Sequence, residues 1–153
     1  MLITLNGIYP FTSNEIQITN GTNLMMTWLN DTLHAYPNVK FMTQVHVFFG
    51  FNYYQGQETF WFEEFTNTLM SIIKPFQHNH LLSIGAHIHH VNVVAPQSSV
   101  VPGLEIVQVI MPAVSPIYNN NPGFGLITID DSDVTVESFE FTFLMLEDYA
   151  RFG

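Results

Sequence analysis

The sequence predicts an α/β fold in which a parallel sheet comes first and antiparallel or mixed strands follow. Three observations point to it. Apolar strand-like runs and helical periodicity alternate through the first half, in the order strand, helix, strand, helix. The second half is a series of apolar, β-branched runs separated by Pro, Gly, Asn and Asp. Imidazoles follow two of the apolar runs, at His46 and His87, where the open ends of α/β sheets usually carry their sites.

Residues 2–5 read as a short buried strand. Asn6 to Thr22 is a loop, with Pro10 and the Asn20-Gly21 pair as turn formers. A helix is expected from about Asn23, because Leu24, Trp28 and Thr32, and beside them Met25, Leu29 and Leu33, recur every four residues. Pro37 ends it. Val39 to Val47 alternates poorly but is apolar and β-branched, which predicts a buried strand. Residues 49–57 form an aromatic, glycine-containing loop. A second helix is expected from about Glu58 to Ile73, with Phe62, Phe65, Leu69 and Ile72/Ile73 on one face and Pro75 just beyond its end.

Strands are expected at 81–86, at about 90–94 and at Leu104 to Met111, with a loop from Pro96 to Pro102. Ala113 to Pro122 is a loop. Phe124 to Asp130 and Val134 to Phe143 pair across the turn Asp131-Ser132-Asp133. No internal repeat, low-complexity tail or linker divides the chain, so residues 1–153 are expected to form a single domain.

Composition narrows the function classes. The chain is 47% hydrophobic, includes 14 Phe, and is only 10% charged, where about a quarter charged is usual. Much apolar surface is therefore expected to meet another chain or domain. The net charge is −10, with Lys40, Lys74 and Arg151 as the fixed cations. A chain this acidic repels phosphate backbones and anionic membranes, which argues against nucleic-acid binding. There is no cysteine, so disulfides and thiolate zinc sites are excluded. No apolar run reaches the about 20 residues a membrane span needs. Met1 to Leu5 reads as a strand and not as a signal peptide. Two sequons, at Asn20 and Asn30, allow N-glycosylation if the chain enters a secretory pathway.

The residues that point to chemistry are the histidines. In Gly85-Ala86-His87-Ile88-His89-His90, His87 and His89 are two apart. In a strand, alternate side chains share a face. The pair would then present ring nitrogens to a metal ion such as zinc, iron, copper or nickel. His46 taken alone is accounted for as a strand-end imidazole bonded to a carbonyl; the 87/89 pair carries the metal argument. His90 points the other way, as a structural or substrate-facing residue. His78 and His80 read as solvated loop residues, and His34 as helix surface. Glu63 and Glu64 read as solvated charge. Asp130, Asp131 and Asp133 lack the glycine and distal glutamate of an EF-hand and read as a hairpin turn.

Several motifs resemble the C-terminal half of calcineurin-like metallophosphoesterases, closest to the acid sphingomyelinase-like phosphodiesterases. Where that family has a strand ending Gly-His-x-His, this chain has Ala86-His87-Ile88-His89-His90-Val91. Met111-Pro112-Ala113-Val114-Ser115-Pro116, then Asn121-Pro122-Gly123-Phe124, is similar to its downstream segments. Thr27-Trp28-Leu29 to Leu33 matches its upstream helix. Gln44-Val45-His46-Val47-Phe48-Phe49-Gly50 keeps a histidine while replacing the flanking Gly and prolines.

The resemblance implies half of an α/β/β/α sandwich, with two helices followed by a mixed sheet. It implies His46 and His87 as ligands of one metal and His89 as a ligand of the other. It also implies two divalent ions, zinc or iron. The family's Asp-x-His, Gly-Asp-x-x-Asp and Gly-Asn-His motifs do not occur here. Three imidazoles cannot by themselves clamp two ions about 3.5–4 Å apart.

The chain is accordingly expected to be inactive alone, its site completed by a missing N-terminal half or a partner chain in an oligomer or hetero-assembly. The alternative is a non-catalytic structural subunit that keeps the fold. A third reading is a lone domain whose histidines take up a single adventitious ion. A secreted or lumenal location goes with the resemblance.

Overall fold

A computed structural model describes residues 1–8, 10–12, 19–52, 58–96, 100–117 and 120–146. The elements are β1 (Leu2–Leu5), α1 (Thr19–Ala35), β2 (Phe41–Val47), β3 (Phe51–Asn52), β4 (Glu58–Thr59), α2 (Glu63–Ile73), a 3₁₀ turn (Lys74–Phe76), β5 (His80–Ala86), β6 (Asn92–Val94), β7 (Gln108–Ile110), β8 (Gly123–Asp130) and β9 (Thr135–Phe143). The class is α/β, with two helices and a mixed sheet.

The central sheet has five strands in the order β1-β2-β5-β7-β6. The first four run parallel, and β6 returns antiparallel along β7. Parallel neighbours need a crossover. Here α1 connects β1 to β2, and β3, β4 and α2 lie between β2 and β5.

Both helices cover one face of this sheet. Met26, Leu29 and Leu33 of α1 join Phe65, Leu69, Met70 and Ile73 of α2 in one core with Ile3, Leu5, Phe41, Val45 and Val47. Burial of such side chains stabilises the fold by about 1.5–3 kcal/mol each. The strands alternate accordingly. In β2, Phe41, Thr43, Val45 and Val47 are buried, whereas Gln44 and His46 are exposed and Met42 is half-buried. In β1, Ile3 and Leu5 are buried and Leu2 is 53% exposed. Parallel strands covered on both faces read as continuous apolar runs. The alternation here marks a face that the two helices leave open.

The β8–β9 ribbon meets the rest of the chain near its base and at its tip. Near its base, Gly125 abuts the Met111 side chain so closely that a Cβ there would collide with it. At its tip, Lys40 Nζ donates to the carbonyls of Asp133 and Val134. Gly125, Ile127 and Ile129 are half-buried on one side of the ribbon; Phe124 and Leu126 on the other side are 54% and 56% exposed. The tip is an ordinary turn. Asp130 Oδ1 accepts the Ser132 N–H at 2.7 Å and hydroxyl at 2.6 Å, and these bonds hold its carboxyl below the usual carboxylate range.

Four boundaries differ from expectation. Helix α1 begins at Thr19, so Asn20 and Gly21 are helical and do not form a turn. Helix α2 begins at Glu63, later than the apolar periodicity suggests. Residues 58–59 pair with β3 instead, the Phe62 N–H donates to the Pro10 carbonyl at 3.0 Å, and Trp61 bridges Phe11. Strand β2 starts at Phe41 and alternates cleanly, because only one face is covered. Strand β7 is confined to Gln108–Ile110, flanked on both sides by paired strands. Among the described residues, no helix is long and apolar enough to cross a membrane.

Candidate functional site

Strands β2 and β5 are adjacent and parallel, with Val47 opposite Ala86. Their C-terminal ends therefore deliver His46 and His87 to the same place. The two imidazole centroids are 5.4 Å apart, with the rings at 78°. Two imidazoles on one tetrahedral ion, with metal–nitrogen bonds of about 2.0–2.1 Å, place their ring centroids roughly 5 Å apart. The spacing of this pair suits joint ligation of a single ion.

The expected strand-like alternation of His87 and His89 does not occur, because β5 ends at Ala86. The Ile88 N–H donates to the Ala86 carbonyl at 3.1 Å, closing a three-residue turn about His87. His87 has φ +82° and His89 φ +62°, both left-handed. The positive-φ γ-turn is a rare, strained form, and each such position costs on the order of 1–3 kcal/mol. What anchors the turn is Ile88, which is buried in the core between the two histidines. The imidazoles are thus positioned by a tight turn around a buried isoleucine and not by a pleat.

His87 lies in an aromatic surround. Its ring meets Phe11 at 5.4 Å and Phe60 at 5.2 Å, both edge to face. Burial pushes its imidazole below the ordinary histidine range, and the neighbouring His46 and His89 push it further the same way. The neutral ring, with a lone pair to offer, is the form that binds a metal. The electrostatic coupling also places His89 in the neighbourhood of the pair, and its Nδ1 is sealed from solvent. His90 lines a cavity together with His89, and His46 does not line it.

The donor chemistry limits what the pair can hold. No group of three or more His, Cys, Asp or Glu among the described residues is placed around a common ion. Two imidazoles fit part of the ligand set of one ion. They do not fit two ions, which need bridging oxygen ligands that these residues do not contain.

Two buried polar side chains that sequence reasoning missed hold the segment after His46. The Trp61 indole donates to the Val47 carbonyl at 2.8 Å. The Gln108 amide grips Phe49 twice: its Nε2 donates to the carbonyl at 2.7 Å, and its Oε1 accepts the N–H at 3.3 Å. Phe49 and Gln108 are both fully buried. The one sequence signal for this grip is a lone amide inside Leu104-Glu105-Ile106-Val107-Gln108-Val109-Ile110.

The remaining histidines divide. His34 is exposed on α1, with Nδ1 2.8 Å from the Asn30 carbonyl, and His78 is exposed. His80, expected in a solvated loop, instead opens β5 and packs against Phe41 at 5.1 Å. Its Nε2 lies 3.2 Å from Thr43 Oγ1 and 3.4 Å from Ser83 Oγ. Burial pushes its pKa down to about 4. The two sequon asparagines sit on α1, Asn20 exposed and Asn30 half-buried. No protein-family model matches the chain, and a search of curated proteins finds no significant match.

Proposed function

We propose that the chain is one half of a metallophosphoesterase-like protein. His46 and His87, with His89 nearby, supply imidazole ligands to a metal centre that a missing N-terminal half or a partner chain completes. The observation that carries this reading is the convergence of His46 and His87, 5.4 Å apart at the ends of adjacent parallel strands. Supporting it are the lowered pKa of His87 and the sheet face that the helices leave open. A completing layer on that face would continue the fold toward an α/β/β/α sandwich. In the completed protein the centre would hold two divalent ions, zinc or iron, with the missing carboxylate and asparagine ligands coming from the other half. Bound ions of this kind supply activation of water and stabilisation of phosphoryl oxygens. His90 would face the substrate. Secretion, with glycans on Asn20 and Asn30, belongs to the same reading.

A second reading is a structural subunit that keeps the fold without catalysis. The edge contacts of His87 with Phe11 and Phe60 favour it, since they pack the ring in hydrocarbon.

Titration with cobalt(II) separates the two. The metal reading expects about one ion per chain, with tetrahedral visible bands that disappear in His46→Ala and in His87→Ala. Phosphodiesterase activity should be absent from the chain alone and present only with its complement. Wild-type protein that binds no cobalt leaves the structural-subunit reading.

A further inference from the structure

We propose that the outer edge of β8 is an interface between two copies of this chain, which pair there antiparallel about a two-fold axis at Leu126. The ladder decides which backbone groups lie on that edge. The Leu144 N–H donates to the Pro122 carbonyl at 2.8 Å, whereas the Gly123 N–H turns away from β9 and donates to the Ala113 carbonyl at 2.9 Å. Along an antiparallel pair, residues that bond each other alternate with residues whose polar groups point outward. The register Gly123↔Phe143, Gly125↔Phe141, Ile127↔Phe139 therefore turns the N–H and C=O of Gly125 and Ile127 away from β9. Among the described residues, β9 is the one strand paired with β8. An outward row of this kind is a template for one further strand.

Edges are ordinarily blunted by charge, proline or a bulge. From Gly123 to Ile129, β8 carries no charged residue and no proline. Its register shift falls between Thr128 and Ile129, at the end of the edge and not within it.

Symmetry and charge select the occupant. A strand paired antiparallel with its own copy is self-complementary. Gly125 of each copy exchanges both bonds with Ile127 of the other, and Leu126 meets its own counterpart on the axis. Phe124 of each copy lies opposite Thr128 of the other. Phe124 and Leu126, both more than half exposed in the single chain, are then brought together on one surface. Two chains of net charge −10 repel each other, and least where the meeting strands are uncharged. Strand β9 fails the same test. Its outward residues are Phe139 and Phe141, and the equivalent pairing sets Glu140 directly against its own counterpart, a like-charge pair that destabilises. Neither His46 nor His87 belongs to the ribbon, and the inference holds whether or not the imidazole pair takes a metal.

Sedimentation of the full chain over a range of concentrations is the first test. A monomer–dimer equilibrium is expected, with a Kd of roughly 10⁻⁶–10⁻⁵ M for a small interface. Leu126→Lys sets two ammonium groups face to face and should weaken the dimer about a hundredfold. If that variant does not fold, Ile127→Pro takes its place, because it removes an outward N–H that β9 does not use. Leu24→Lys, on the exposed side of α1, should leave the dimer unchanged. Crosslinking then tests the register, and the chain's lack of cysteine leaves no background. Opposed residues that do not bond each other have Cα atoms about 4.5 Å apart, within disulfide reach, so Leu126→Cys should give a covalent dimer under diamide. Phe124→Cys should not, because its two copies lie roughly 13 Å apart along the strands. A monomer at every concentration overturns the proposal and leaves the edge to a strand of another protein. A dimer that neither Leu126→Lys nor Ile127→Pro weakens overturns it too, as does Phe124→Cys crosslinking as fast as Leu126→Cys.

Discussion

His80 and His87 stand at opposite ends of the same strand. His80 is the first residue of β5, lodged against Phe41 and within hydrogen-bond reach of Thr43 and Ser83. His87 follows the last residue of β5 in a left-handed turn, facing His46, Phe11 and Phe60. Burial lowers the pKa of both. A depressed imidazole therefore does not by itself mark a site; its company does. The ring of His80 meets hydroxyls that also bond one another at 2.6 Å, which closes a local network. The ring of His87 meets a second imidazole, and a pair of imidazoles is a donor set that an ion can use.

The sharpest way to break this contrast is acid. The folded pKa of His80 lies near 4, below the ordinary imidazole value of 6.5. Between those values the unfolded chain binds a proton that the folded chain refuses, so stability falls as pH falls. The full loss is on the order of 3 kcal/mol and is complete near pH 4. Urea midpoints measured from pH 7 to pH 4 should show it, and His80→Leu should flatten most of the slope. The lowered pKa of His87 acts in the same direction with a smaller effect, because its ring is partly exposed and solvent screens it. A slope that survives unchanged in His80→Leu would show that the buried network is not the acid-sensitive element.

A smaller effect is expected at Thr43. Thr43→Val keeps the shape but takes a partner from both Ser83 and His80. A buried polar group left unpaired costs about 1–3 kcal/mol. Equilibrium unfolding at pH 7 measures it, and a change under about 0.5 kcal/mol, ordinary for a surface site, would mean that the hydroxyl pair contributes little.

The smallest stability effect is expected at His87, where the loss of function should be complete. His87→Gly relieves a left-handed residue, worth about 1–2 kcal/mol, and gives up ring contacts of comparable size. The two terms nearly cancel, so stability should stay within about 1 kcal/mol while cobalt binding disappears. A large destabilisation would instead assign the ring to the core and favour the structural-subunit reading.

The sequence by itself determined the class and most of the elements. Period-two and period-3.6 apolar patterns are local properties, and they located β1, both helices, β5 and the β8–β9 ribbon to within a few residues. The same patterns placed His46 and His87 at strand ends. The start of α2 was not legible, because residues 58–59 pair with the neighbouring β3 and Trp61 bridges the distant Phe11, and that pairing overrides their helical spacing. The fate of His80 was not legible either. Whether an imidazole is solvated or buried depends on which strand lies beside it, and β2 is distant in sequence. Only the tertiary structure brought His46 within 5.4 Å of His87, replaced the expected pleat with a turn around Ile88, and aimed the Gln108 amide at Phe49. Each of these is a contact between residues far apart along the chain, or a backbone torsion that such contacts enforce, and local periodicity carries no record of either.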